Sequence, residues 1–300
     1  MIDHKESTAL STDNTTQKAL MEAMKSYKRR ARLGMHGLRD ACDTYLMPKS
    51  RPAQTTLGFA ITGGSSQHHR AMQRGLFERT EVTWLKSELS RAEIFVDIGA
   101  NIGYFSCLAR TLRKRVLAVE PMPYNVQHLL RNVHINDGPV AEIHPVALAD
   151  RVGVLKLHGA SSTGASLVPD WAGASSRFAR LVPVTTLDNL LCGRFDEMQL
   201  VVKMDVEGSE FKALTGAQST LLRSKKPTWL VEITMGEFMP GGYNPDFVKT
   251  FDLFWSQGYR SSLLTANGEV SLTRSDIERY QARGRSDFSE INYVFRPGEA

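Results

Sequence analysis

The sequence has few cysteines and no long hydrophobic run. Its three cysteines, Cys42, Cys107 and Cys192, are odd in number and lack metal-site spacing, so neither a disulfide framework nor a zinc cluster is expected. No apolar stretch approaches the roughly 20 residues that span a bilayer, and the polar segment 1–6 lacks the apolar core of a secretory signal. The composition, with 42% hydrophobic and 23% charged residues, is that of a globular protein. We therefore expect a cytoplasmic protein without a membrane span.

Excess positive charge is absent from most of the chain. The net charge is +5, and residues 25–51 alone carry eight Lys or Arg against two Asp, so the remainder is about neutral. A basic segment of this kind is suited to nucleic acid, an anionic lipid surface or an acidic carrier protein. It is not accompanied by the aromatic series that stacks on bases, so a solvated helix face is the favoured interpretation, and nucleic acid is disfavoured as a partner.

The glycine-rich stretch at residues 94–106 lacks the Gly-x-Gly-x-x-Gly fingerprint of dinucleotide-binding folds. Residues 94–98 form an apolar run broken only by Asp97, which predicts a buried parallel strand. Gly99 and Gly103 then permit a sharp turn that a ligand can approach closely. The helix that begins at Tyr104 directs its free N–H groups towards such a ligand. Without the third glycine, the turn favours a nucleoside that carries no phosphates.

A second apolar strand at residues 116–119 ends in Glu120, 17 residues after Gly103. In a β-α-β unit, an acid at this position can accept hydrogen bonds from both hydroxyls of an adenosine ribose. S-adenosylmethionine (SAM) is a phosphate-free adenosine derivative of this kind. An NAD-dependent dehydrogenase is the alternative, and the missing glycine and Asp97 within the strand both disfavour it.

Four stretches resemble, in the same order, the motifs of the FkbM family of SAM-dependent methyltransferases; they are residues 96–105, Glu120-Pro121, residues 146–150 and residues 203–210. The resemblance covers about residues 90–235. It implies a Rossmann-like class I methyltransferase fold of the α/β class. The sheet of this fold has seven mostly parallel strands and one antiparallel edge strand. The resemblance also implies methyl transfer from SAM to a hydroxyl of a sugar or secondary metabolite.

The chain is expected to divide into three parts. Residues 1–16 are polar and predict a disordered tail, residues 17–90 predict a helical extension or cap, and residues 91–300 predict the methyltransferase domain. A β insertion is expected near residues 151–198. Its small polar loop at residues 159–166 suits either a substrate lid or a plain surface hairpin. The N-terminal helices are a candidate contact for a homodimer.

The predicted catalytic residues lie at the carboxyl ends of strands, where open α/β sheets bind ligands. Asp97, Glu120, Asp205 and Glu232 all end such strands and are expected to converge. Lys203 shares a strand face with Asp205. As a lysine in an apolar strand it needs a partner, and Asp97 is the expected one. Asp205 is the best candidate for a general base or substrate-positioning group, and Glu232 and Lys203 complete the catalytic set.

The predicted cofactor site follows the glycine turn and the two motifs after it. We assign Asp97 and the turn to the methionine part of SAM, and Glu120 to the ribose. The resemblance implies that Asp150 accepts from the adenine amine. The full set is Asp97, Gly99, Ala100, Asn101, Gly103, Glu120, Pro121, Leu148, Asp150 and Asp205.

Further alternatives are open at this stage. No metal site is assigned, although Asp205, Glu207 and Glu232 have the carboxylates that Mg²⁺ prefers. His69 and His158 are reserve candidates for the base. A non-catalytic or RNA-directed module would use the basic segment 25–51. The Asn/Asp-Pro-Pro-aromatic motif typical of base-amine methylation is absent, because residues 205–208 read Asp-Val-Glu-Gly.

Overall fold

A computed structural model of the chain describes residues 51–159, 164–174 and 179–298. The predicted tail, the N-terminal helices before residue 51, their dimer contact and nearly all of the basic segment lie outside the described residues. The strands are β1 (Ala53–Gln54), β2 (Ala60–Ile61), β3 (Ile94–Ile98), β4 (Arg115–Val119), β5 (Ala141–His144), β6 (Ala147–Leu148), β7 (Gly153–Leu157), β8 (Arg180–Thr185), β9 (Leu200–Met204), β10 (Thr228–Glu232), β11 (Tyr259–Thr265), β12 (Gly268–Leu272) and β13 (Asn292–Pro297). The helices are α1 (Ser66–Gln73), α2 (Arg79–Leu89), α3 (Tyr104–Thr111), α4 (Pro123–Ile135), α5 (Leu187–Leu191), α6 (Glu210–Thr215), α7 (Gln218–Leu221), α8 (Phe247–Trp255) and α9 (Arg274–Arg283).

The predicted α/β fold with a large, mostly parallel sheet is confirmed. The main sheet has eight strands in the order β12-β11-β13-β10-β9-β3-β4-β5, and the five strands from β10 to β5 are parallel. The expectation of seven strands with one antiparallel edge strand needs correction. β13 runs antiparallel between β10 and β11, and β12 adds a further antiparallel strand at the edge. The added strand forms because Asn267-Gly268 reverses the chain after β11.

The alternation of side chains along β3 divides the core between the two faces of the sheet. Val96 packs with the cluster that contains α5 and α8, whereas Phe95 packs with α2 and α3 on the other face. All five residues of β3 are buried, as are those of its neighbour β9. Helices therefore cover both faces, and the carboxyl ends of these central strands are left as the accessible edge.

The extension and the insertion pack against this core. Residues 66–73 of the extension form helix α1, and His69 Nε2 on this helix lies 3.2 Å from the Ile61 carbonyl oxygen. The predicted β insertion is present as a three-stranded sheet in the order β6-β8-β7. Val182 and Val184 face Met122 in a small separate core. The insertion is thereby held beside the carboxyl end of β4.

Candidate active site

Asp97 and Lys203 are buried opposite each other on β3 and β9. The sheet register pairs them directly, yet the expected ion pair between them is not formed. Asp97 accepts a hydrogen bond from the Ser106 hydroxyl at 2.6 Å, whereas the Lys203 ammonium contacts Asp205 at 3.2 Å. Burial raises the pKa of Asp97 to about 6, although the bond from Ser106 opposes the shift. A neutral hydroxyl therefore satisfies this carboxyl group, and the lysine is directed to the strand end.

Lys203 lies within a group of carboxyl groups. Burial disfavours its charge, but Asp205, Glu78, Glu232 and Asp97 outweigh that effect and raise its pKa. The nearby charge of Asp205, followed by burial, raises the pKa of Glu232 to about 10. The protonated form of Glu232 is therefore favoured beside Asp205.

The sequence analysis missed Glu78, which reaches this cluster from the extension. Burial raises its pKa to about 7, and Lys203 opposes the shift. Its backbone has a left-handed φ of 43° immediately before α2, and its side chain does not cap that helix. A left-handed non-glycine residue is uncommon, and such strain is concentrated at functional sites. No local sequence signal identified it, because the residue lies before the first motif.

The glycine turn brings β3 and the segment after β9 into backbone contact. Gly99 has a φ of +79°, and a Cβ built there would lie 1.8 Å from the Asp205 carbonyl oxygen. The Asp205 amide donates to the Ile98 carbonyl at 2.9 Å, and the Gly99 amide donates to the Val119 carbonyl at 2.9 Å. The absence of a side chain at Gly99 thus sets the position of Asp205.

Glu120 ends β4 and is surrounded by hydrogen-bond donors. It accepts from the Asn101 amide at 2.9 Å, the Met122 amide at 2.8 Å and the Asn125 side chain at 3.3 Å. Burial raises its pKa to about 7, although these bonds favour the charged form. Glu120 thereby links the glycine turn to the loop before α4.

A cavity of about 610 Å³, partly open to solvent, lies between the glycine turn, the end of β4, the segment after β9 and the insertion. Several predicted cofactor residues line it: Gly99, Asn101, Glu120, Pro121, Leu148 and Asp205. Asp97, Ala100 and Gly103 are buried outside the lining. Asp150 is also outside the lining. It is exposed and pairs with Arg151 at 3.4 Å, so the structure does not place it in the wall of this cavity.

Other cavity residues were not assigned a cofactor role from the sequence. Glu207, Ser209 and Asn125 line the cavity from the protein core, and Gly164 and Leu167 line it from the insertion. The Ser209 hydroxyl is buried and has no hydrogen-bond partner in the described part of the chain. The insertion residues could not be found from the sequence, because their separation from the motifs conceals their proximity in space.

The structure does not support His158 as a base in the cavity, and it shows no metal-binding group among the described residues. His158 is buried and forms a β-bridge with Ser166 outside the cavity lining, so it is not presented as a base there. Within residues 51–159, 164–174 and 179–298, no group of three or more His, Cys, Asp or Glu side chains is arranged to hold a metal ion. In those same ranges, no helix has both the length and the apolar character for a membrane crossing.

Comparisons with known proteins identify the family of the chain. Residues 97–261 match the family described as "Methyltransferase FkbM domain". No curated protein matches the sequence significantly. Similar solved structures include a SAM-dependent methyltransferase from Agrobacterium tumefaciens, at 8% identity and a TM-score of 0.43, with 84% of this chain and 71% of that chain covered. A TehB-like SAM-dependent methyltransferase from Corynebacterium glutamicum has 11% identity and a TM-score of 0.37, with 73% and 88% covered. Precorrin-6y C5,15-methyltransferase from Geobacter metallireducens has 11% sequence identity and a TM-score of 0.36, with 71% of this chain and 85% of that chain covered.

Proposed function

The chain belongs to the FkbM methyltransferase family, and we propose that it transfers a methyl group from SAM to a hydroxyl of a sugar or other secondary metabolite. One observation supports the proposal above all. Glu120 and Asp205, from the ends of β4 and β9, line the same cavity on either side of the glycine turn. This is the edge of an open α/β sheet at which ligands bind.

The residues present fit a phosphate-free adenosine derivative. The cavity is lined by both polar and apolar side chains at the carboxyl ends of the central strands, as small-molecule sites in open α/β sheets are. Glu120 supplies carboxylate oxygens for ribose hydroxyls, and the buried Ser209 hydroxyl lacks a partner that a ligand would provide. Leu148 and Leu157 supply apolar walls. When bound, SAM supplies an activated methyl group on a sulfonium, whose positive charge suits the acidic surroundings.

Asp205 is the residue we assign to the acceptor hydroxyl. Methyl transfer is an in-line displacement, so holding the acceptor oxygen in line contributes about 7–11 kcal/mol of barrier lowering. The Asp205 carboxylate then accepts the hydroxyl proton, which contributes about 10²–10⁴-fold in rate. Lys203, whose ammonium lies 3.2 Å from Asp205 Oδ2, orients this carboxylate. We assign Glu232, whose pKa the nearby charge of Asp205 and burial raise, a positioning role beside this carboxylate.

The test separates cofactor binding from methyl transfer. Asp205→Asn should bind S-adenosylhomocysteine with nearly the wild-type dissociation constant by calorimetry, because its backbone is unchanged. It should lose at least about 10²-fold in transfer from radiolabelled SAM to a panel of glycosides and macrolides. Asp287→Asn is the matched control. It also removes an aspartate that pairs with a basic side chain, Arg283 at 2.9 Å, but lies outside the cavity lining.

Either of two results would contradict the proposal. Wild-type protein that gives no heat with SAM or S-adenosylhomocysteine would exclude the cofactor. Full transfer activity in Asp205→Asn would exclude Asp205 as the proton acceptor.

A further inference from the structure

Glu207 contacts the insertion with both its side chain and its backbone. One carboxylate oxygen accepts from the Trp171 indole N–H at 2.9 Å, and the other accepts from the Gly164 amide at 3.1 Å. The Ser166 hydroxyl donates to the Glu207 carbonyl oxygen at 2.5 Å. Gly164, Ser166 and Trp171 of the insertion are therefore all hydrogen-bonded to Glu207, which lies in the segment after β9.

The backbone at this point is adapted to the contact. Glu207 has a φ of +55° and Gly208 a φ of +88°. A Cβ at Gly208 would lie 2.2 Å from the Trp171 ring, so the indole packs directly on the glycine backbone. The left-handed conformation is unfavourable for glutamate by about 1–2 kcal/mol. Glu207 nevertheless keeps this conformation, in which it forms the hydrogen bonds to Gly164, Ser166 and Trp171.

The attached segment is also a wall of the cavity. Gly164 and Leu167 line the cavity, as does Glu207 itself. Trp171 is buried to 2% exposure, and the amide of the next residue, Ala172, donates to the Phe238 carbonyl at 2.8 Å. The position of this wall therefore depends on the hydrogen bonds of Gly164 and Trp171 to Glu207 and on that of Ala172 to Phe238.

We propose that Glu207 is a positioning residue whose carboxylate binds Trp171 and Gly164 and thereby holds residues 164–174 as the outer wall of the cofactor cavity. The inference rests on the proposed function, because it takes the cavity to be the SAM site. Its specific content is that the affinity for the cofactor depends on a hydrogen bond between an insertion tryptophan and a glutamate of the core domain.

The experiment is a double-mutant cycle on the full chain with Glu207→Gln, Trp171→Phe and the double variant. Calorimetry with S-adenosylhomocysteine measures the dissociation constant, and ¹⁵N-indole NMR follows the Trp171 N–H. Each single variant should weaken binding by up to about tenfold, which is the usual effect of losing one hydrogen bond. The double variant should be no weaker than the worse single variant, because both substitutions remove the same bond.

Trp84→Phe is the matched control. It removes a similarly buried indole that also donates to a carboxylate, Glu269 at 3.0 Å, but lies far from the cavity lining. This variant should keep wild-type affinity. Glu207→Gln should also shift the Trp171 indole resonance without a large change in unfolding midpoint.

The outcomes distinguish the inference from the proposed function. If wild-type protein does not bind S-adenosylhomocysteine, the proposed function fails. If wild-type protein binds and the Glu207 and Trp171 variants bind equally well, only the inference is overturned. Additive losses in the double variant would also overturn it, because the two side chains would then act independently.

Discussion

Replacing Gly99 by alanine should damage both stability and catalysis, because this position has two separate constraints. Its φ is +79°, and an added Cβ would lie 1.8 Å from the Asp205 carbonyl oxygen. Contacts of this kind are not found below 3.0 Å, so the two backbones must separate by about 1.2 Å. The left-handed conformation costs about 1–2 kcal/mol, and the forced separation adds about 1–3 kcal/mol of overpacking.

The displacement falls on the residue that we assign to proton transfer. A misplacement of about 1 Å can lower a rate by about 10²-fold, so Gly99→Ala should lose at least that factor in methyl transfer. Urea unfolding should show a loss of about 2–5 kcal/mol in the free energy of unfolding.

Gly58→Ala provides the control for the conformational part of this effect. Gly58 has a φ of +87°, and nothing lies within 4 Å of its added Cβ. That variant should lose only about 1–2 kcal/mol and retain its activity. If Gly99→Ala matched Gly58→Ala in both stability and transfer rate, the contact with Asp205 would not position the site, and the reasoning would be refuted.

Two further predictions concern buried charged groups. Burial raises the pKa of Glu210 from 4.5 to about 8, so the folded state keeps a proton that the unfolded state has released, and stability falls as pH rises through this window. Glu210→Gln should lessen that decline by the part that Glu210 contributes, and a wild-type stability advantage in urea unfolding that grows from pH 5 to pH 8 would contradict it. Arg110 is 7% exposed and donates hydrogen bonds to four carbonyl groups, that of Val133 in the last turn of α4 and those of Asn136, Gly138 and Pro139 after the helix. Arg110→Lys should lose about 3 kcal/mol in the free energy of unfolding. The control variant Arg151→Lys, at an exposed position, should change this free energy little. Equal losses in the two variants would show that the four hydrogen bonds of the Arg110 guanidinium do not stabilise the fold.

The glycine turn and the strand-end acids were predictable because each depends on a few consecutive residues. An apolar run followed by Gly99 and Gly103 predicts strand, turn and helix. The period of two along a strand explains why Lys203 and Asp205 share a face. The same rule did not identify the lysine's partner. Register places Asp97 opposite Lys203, but the choice between two neighbouring carboxylates depends on side-chain conformation and on the hydroxyl that Ser106 supplies to Asp97.

The sequence by itself determined the class of the fold, the sheet edge at which the acids gather and the absence of a dinucleotide fingerprint, because these follow from local periodicity and glycine chemistry. Only the tertiary structure decided that Glu78 joins the acids, that Trp171 binds Glu207 and that Asp150 stays in solvent. These side chains come from the extension and the insertion, or lie just beyond a strand end. Their positions depend on the path of the connecting chain and on long-range packing, which no short stretch of sequence encodes.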